Sequence, residues 1–364
     1  MSEPSNGGNP IHVAVVVLLL VGGGWYFFQH YQIDGLDEVS VYPKSSSSDD
    51  ETYVTYRDVP NVLATDTSFA SPAPFDARGK ESPFTLARAS SGHAAGDIKP
   101  TSARAFRNLK VASWALDGFG PTKLANATAR RNLARVIRQF DIVALQQVAS
   151  IERDLIPRLV DVINEGDKRY DYVIGQSTGP VDREEQLAFV FDTTRVLLDR
   201  RQTYTIEDPA NQVTFDPLVA WFRAAEPPAS QAWTFSLVNV RVDLARAPDE
   251  VALLPGMLSA IRADGRGEDD VVVAGLFQAD DAYLLPTIAG DKVKAAVRSL
   301  PTDIFGQYQT SNVLIDTATT SEYLGRGGIF DYLRLYDLTL PEAETVTSHL
   351  PVYAEFTATE GGRL

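Results

Sequence analysis

The chain has 364 residues, of which 44% are hydrophobic and 22% charged, the makeup of a folded globular protein, and this excludes disorder throughout. Its formal net charge of -15 opposes nonspecific binding to DNA or RNA, because neutralising phosphates requires clustered Lys and Arg. With no cysteine, it can form no disulfide, thiolate zinc site or cysteine nucleophile.

The first element in the chain is apolar. Residues 11–28 read IHVAVVVLLLVGGGWYFF, in which only His12 is neither apolar nor glycine, and this is long enough to cross a bilayer as a helix. Trp25 and Tyr26 fall where an interfacial aromatic belt belongs. The preceding MSEPSNGGNP lacks Lys and Arg, and no small-x-small site follows, so the pattern favours an uncleaved anchor over a signal peptide. The expected organisation therefore begins with a polar tail (1–10) and a transmembrane anchor (11–29). The nearest basic residues, Lys44 and Arg57, are too distant to fix orientation strongly, and the lean is towards a globular part on the extracytoplasmic side.

Residues 30–105 are rich in Ser, Pro and acids, including SSSSDD at 45–50, and have no sustained apolar period, so they read as a linker or stalk. Tyr53 to Tyr56 is a short apolar stretch that could dock as an arm. From residue 106 to 358 the pattern becomes globular, leaving 359–364 as a tail. LKVASWAL (109–116) and DIVALQQV (141–148) read as buried strands. Between them residues 124–139 place Leu133, Val136 and Ile137 on one helical face, with Arg130, Arg131, Arg135 and Arg138 elsewhere. A helix near 151–165 precedes strands at 171–175, 186–192 and 235–242. A helix over 248–263 leads to DVVVAGLF (270–277), and late strands fall near 312–316 and 352–358. Strands outnumber helices and many are continuous apolar runs, which predicts an α/β sandwich of two packed sheets covered by helices.

In this order, KVASWALDGFGPTK, DIVALQQV, EEQLAFVFD, FSLVNVRVD, VVVAGLFQAD and TSHLPVYAEF resemble the endonuclease/exonuclease/phosphatase superfamily, most closely its deoxyribonuclease I-like branch. The resemblance covers Leu109 to Phe356. It implies a four-layer α/β sandwich of two mixed β-sheets flanked by helices, here with an N-terminal transmembrane helix added. It also implies metal-dependent phosphoester hydrolysis, in which carboxylates hold a hard cation and a carboxylate-oriented histidine moves the proton.

Most positions that carry this chemistry in the family are altered. Ala115 stands where the resemblance puts an asparagine, and it has no polar side-chain atom. Gln147 replaces the glutamate that is the principal metal ligand. Arg241 and Asp243 replace the residues of a His-x-Pro pattern, so a titrating acid becomes a fixed cation. The Gly-Asp-Phe-Asn turn is Gly275, Leu276, Phe277 and Gln278. Ser311 matches a family aspartate, and the final Ser-Asp-His is Thr347, Ser348 and His349, which leaves the histidine without its adjacent carboxylate. Only Glu185 and His349 match retained functional positions.

The expected function is a membrane-tethered, catalytically inactive binding or scaffolding module with no cofactor and an unknown protein partner. One alternative is a divergent phosphodiesterase, nuclease or phosphatase built from Glu185, His349 and acids such as Asp117 or Asp280, and it would need magnesium, manganese or calcium. Another is a non-hydrolytic binder of an anionic ligand, anchored by Arg241. Bland readings accompany each residue. Arg241 could neutralise Glu185, Glu185 could pair with Arg183 or solvent, His349 could be structural, and Gly325-Arg326-Gly327-Gly328 could be a phosphate loop or only a turn.

Overall fold

Strands buried on both faces need a partner layer on each side, and the molecule provides one. The computed structural model describes residues 31–34, 40–43, 106–288 and 292–361. Its contacts divide the chain into two units, Met1–Thr55 and Tyr56–Leu364. In the first, β1 (Tyr31–Asp34) pairs antiparallel with β2 (Ser40–Pro43). The rest of the 30–105 linker or stalk lies outside the described residues. The 11–29 anchor and the Tyr53–Tyr56 arm lie outside the described residues. No helix among the described residues is long and apolar enough to cross a membrane.

The second unit holds two six-stranded mixed sheets. The first is built from β3 (Leu109–Phe119), β4 (Ile142–Ala149), β5 (Tyr170–Thr178) and β6 (Glu185–Asp192), and is completed by β13 (Tyr323–Ile329) and β14 (Val352–Phe356), in the order β13-β14-β3-β4-β6-β5. The second contains β7 (Val196–Thr205), β8 (Leu218–Ala224), β9 (Thr234–Arg241), β10 (Val271–Leu276), β11 (Val293–Ala295) and β12 (Ser311–Asp316), in the order β11-β12-β10-β9-β8-β7. Alternation along a strand sends its residues to opposite faces. Thus Val111 of β3 enters the core between the sheets with Phe189, Phe222, Phe235 and Val313, while Ala112 and Trp114 face the outer helices.

On that outer face lie α1 (Pro121–Ala125), α2 (Ala127–Ile137) and α3 (Leu155–Ile163), joined by α6 (Tyr332–Leu335) and α7 (Leu340–Val346). The other sheet is covered by α4 (Ala247–Arg262) and α5 (Asp281–Ile288), through Val251, Leu254, Leu258 and Leu284. The result is four layers, α/β/β/α. The expected face of α2 is the buried one: Leu133, Val136 and Ile137 are each 0% exposed, worth about 1.5–3 kcal/mol apiece by transfer.

Strands β7, β8, β11 and β13 fall outside the sequence expectations, and other details differ as well. The 124–139 helix is broken at Asn126, whose side chain caps α2 by accepting bonds from the Thr128 and Ala129 backbone N–H groups at 2.9 and 3.0 Å. Gly325 to Gly328 is neither a turn nor a phosphate loop but part of β13, where a Cβ on Gly327 would meet the Tyr353 carbonyl at 2.7 Å. The 359–364 tail is docked as far as Gly361: Thr359 bridges to Ala232, and the Glu360 N–H donates to the Gln231 carbonyl at 2.9 Å.

Candidate functional site

Parallel pairing gathers the altered positions at one pole of the sandwich. β3 lies parallel to β4 with Ala115 opposite Gln146, and β9 lies parallel to β10 with Arg241 opposite Leu276, so all four strands end at the same side. Three of these ends carry a non-glycine residue in the left-handed region: Asp117 (φ 47°), Gln147 (φ 58°) and Gln278 (φ 54°). Such residues cost about 1–2 kcal/mol each, and kinks of this kind interrupt the pleat and re-aim side chains. At Asp117 and Gln147 the kinks bring two strand ends into contact, since the Asp117 N–H donates to Gln147 Oε1 at 3.1 Å.

Asp117 is the centre of this pole. His349 Nε2 lies 3.2 Å from its Oδ1. Its Oδ2 accepts from the Thr347 hydroxyl at 3.0 Å and the Ser348 N–H at 2.5 Å. Burial pushes the Asp117 carboxyl up, but the His349 hydrogen bond and charge and the two Ser348 bonds more than offset this, and it sits well below the usual carboxylate range. His349 therefore lacks only the adjacent carboxylate of the motif. The adjacent one is replaced by Ser348, and β3 supplies another through space. His349 is the only histidine between 106 and 364. It is fixed at its carbonyl by the Trp114 indole N–H (2.9 Å), and its Nδ1 faces the Thr310 hydroxyl at 3.5 Å. Carboxylate, imidazole and hydroxyl thus stand in a row, though the last contact is at the outer limit of a hydrogen bond.

Arg241 and Glu185 form a separate buried pair. Arg241 Nε lies 3.2 Å from Glu185 Oε2, and Nη2 lies 3.4 Å from Oε1, with the two side chains only 5% and 10% exposed. A further N–H of Arg241 reaches the Val242 carbonyl, and the guanidinium stacks 4.8 Å from the Phe215 ring centre. Arg241 is therefore not a free anchor for an anion. Glu185 pairs with Arg241 rather than with Arg183, which binds Asp243. Burial raises the Glu185 carboxyl above its ordinary value even beside Arg241. The two retained family residues, Glu185 and His349, belong to different pairs.

The other altered positions are filled with packing. Ala115 and Leu276 are fully buried. Gly275 persists for a steric reason, since a Cβ there would meet the Val240 carbonyl at 2.8 Å. Ser311 is buried with its hydroxyl unpartnered among the described residues. Asp280 is turned away into a helix-capping role, accepting from the Tyr283 N–H at 2.9 Å. Sequence reasoning missed Thr347, whose hydroxyl also donates to the Ala115 carbonyl (2.9 Å), and Lys123, whose ammonium caps the carbonyls of Leu116 (2.7 Å) and Asp117 (3.2 Å). Thr347 occupies the first position of the degenerate Ser-Asp-His motif, and that was its only signal.

This donor set does not fit the family's catalytic cation. Gln147 offers a neutral amide oxygen already bonded to Asp117, the Asp117 carboxylate is committed to three donors, and Arg241 places a fixed positive charge against Glu185.

No protein-family model matches this chain. Curated relatives do. Rat deoxyribonuclease gamma is 23% identical over 265 residues, spanning 67% of this chain and 83% of its own length. Sheep deoxyribonuclease-1 is 25% identical over 270 residues, spanning 68% of this chain and all of its own. The chain is thus similar to proteins of the deoxyribonuclease I-like branch of the endonuclease/exonuclease/phosphatase superfamily. Among solved structures, the human Nocturnin catalytic domain aligns at 13% identity with a TM-score of 0.49, over 69% of this chain and 95% of that one.

Proposed function

We propose that this protein is a membrane-anchored, catalytically inactive member of its superfamily that serves as a binding or scaffolding module. One observation carries the reading: at the pole where the family resemblance puts a metal ligand and a proton-transferring histidine, the chain has a hydrogen-bonded Gln147 and the buried Arg241–Glu185 pair. A fixed cation beside the retained carboxylate opposes metal binding, and a guanidinium does not exchange protons near neutral pH. The apolar span at 11–29 supports a single-pass anchor with the domain on the extracytoplasmic side, and alkaline extraction with protease protection tests that part.

The expected assay result for the full chain is no hydrolysis of DNA, nucleotides or sugar phosphates with magnesium, manganese or calcium, and none after Gln147→Glu, because Arg241 still occupies Glu185. Metal-dependent turnover abolished by His349→Ala would overturn the proposal. The Asp117–His349 pair favours one competing reading, a divergent hydrolase, since a depressed carboxylate orients the only imidazole of the domain. Such an enzyme would show activity that Asp117→Asn and His349→Ala remove together.

A further inference from the structure

At the opposite pole, where β10 and β13 begin, the electrostatic situation is reversed. Asp270 precedes β10, Glu322 precedes β13, and Glu360 lies in the docked C-terminal segment. One carboxylate oxygen from each falls within 4.8 Å of the others. No Lys, Arg or His forms an ion pair with any of them among the described residues. Asp270 and Glu322 are 2% and 1% exposed, and Asp270 Oδ1 and Glu322 Oε2 have no hydrogen-bond partner. Thr320, 1% exposed, turns its hydroxyl towards Asp270. Buried polar atoms are satisfied almost everywhere in native proteins, and unpartnered carboxylate oxygens are costly.

The second oxygens of the carboxylates are fixed by other groups. The buried Trp233 indole N–H donates to Asp270 Oδ2 at 2.8 Å, the Gly361 N–H to Glu322 Oε1 at 2.6 Å, and the Thr234 N–H to Glu360 Oε2 at 3.3 Å. These bonds orient the carboxylates and leave Glu322 Oε2 without a partner, while Asp270 has only the Thr320 hydroxyl beside its second oxygen. Glu268 and Asp269 add further negative charge around Glu360.

We propose that Asp270, Glu322 and Glu360, with the Thr320 hydroxyl, bind a single Ca2+-type cation that ties the two sheets to the C-terminal segment. The chemistry selects the class: hard oxygen donors only, three carboxylates, and a span that fits inside the roughly 4.6–5.2 Å diameter of a calcium shell. An irregular set of carboxylates and a hydroxyl suits calcium better than magnesium, which demands near-octahedral ligands and a smaller shell. In a chain without cysteine, such an ion would take the cross-linking part that a disulfide plays elsewhere. The competing arrangement is a proton shared between Asp270 and Glu322. Without the ion, burial and the Glu322 charge hold the Asp270 carboxyl well above its ordinary range. Protons therefore compete with the cation, and its affinity should rise as pH is raised from 5 to 8.

The full chain, purified in mild detergent, gives the test. Terbium, used as a calcium surrogate, should show emission sensitised by Trp233 and displaced by calcium, at one ion per chain. Calcium at a hundredfold excess over its dissociation constant should raise the thermal midpoint by about 5–10 °C over the EDTA-treated protein. Glu360→Gln, at an exposed position, and Glu322→Gln should each weaken binding by about tenfold or more, and Asp117→Asn should leave it unchanged. The proposal is overturned if calcium moves neither signal, if binding survives undiminished in Glu360→Gln, or if Asp117→Asn abolishes it. A higher midpoint for Glu322→Gln than for the parent, with no response to calcium, would assign the site to the shared proton instead.

Discussion

The two poles of the sandwich handle buried charge in opposite ways. At the pole formed by the ends of β3, β4, β9 and β10, the carboxylates have an answering cation or donor: buried Glu185 has Arg241, and part-exposed Asp117 has His349, Thr347 and Ser348. At the other pole Asp270 and Glu322 face each other and Glu360 with orphaned oxygens. The family's chemistry belongs to the first pole, and there the chain carries its own counter-charges. The unanswered negative charge lies where the resemblance gives no reason to look. Departure from the family motifs is thus not simply a loss of polar groups, because the fold keeps its charges paired at one end and leaves a surplus of negative charge at the other.

The sharpest way to break this comparison is to remove one partner of the internally compensated pair. Arg241→Leu should destabilise the domain by about 3–5 kcal/mol in urea unfolding, because Glu185 is left buried and unpaired. Replacing both, Arg241→Met with Glu185→Leu, should return stability to within about 1 kcal/mol of the parent. A single-mutant loss below about 1 kcal/mol would mean that water reaches this pair.

A smaller effect is expected at Asp117. Its folded carboxyl is depressed, so the stability it contributes is complete above the unfolded value, near 3.9, and is lost as pH falls through the lower folded value. Asp117→Asn should cost about 1–2 kcal/mol at pH 7 and flatten the acid limb of the stability profile. Parallel acid limbs in parent and variant would detach Asp117 from that transition. The smallest expected change lies at neither pole: Asn126→Ala should cost about 1 kcal/mol through loss of the α2 cap, with no change in pH dependence, as followed by thermal melts.

Legibility followed burial only in part, since the largely buried β8 is not among the strands expected from the sequence. Central strands such as β4 and β10 are apolar runs and stand out in the sequence, whereas β7, a half-exposed edge reading VLLDRRQTYT, has no clean period. β13 was hidden by its glycines, which read as a turn but in fact let the backbone pack against Tyr353 and Ala296. At the site, motif comparison located Gln147, Arg241 and Leu276, because strand register carries each to a defined end. It did not reveal the Asp117–His349 contact, which joins residues 232 positions apart in sequence through the pairing of β14 with β3.

The sequence by itself determined the sandwich of two sheets flanked by helices and the resemblance to the superfamily, since apolar alternation and segment order are local and additive along the chain. Only the tertiary structure decided which charges meet. The capture of Arg241 by Glu185, the carboxylate that β3 lends to His349, and the convergence of Asp270, Glu322 and Glu360 each depend on distances between strands far apart in the chain. Electrostatic energy depends on those distances and on burial, and neither is written in any one segment.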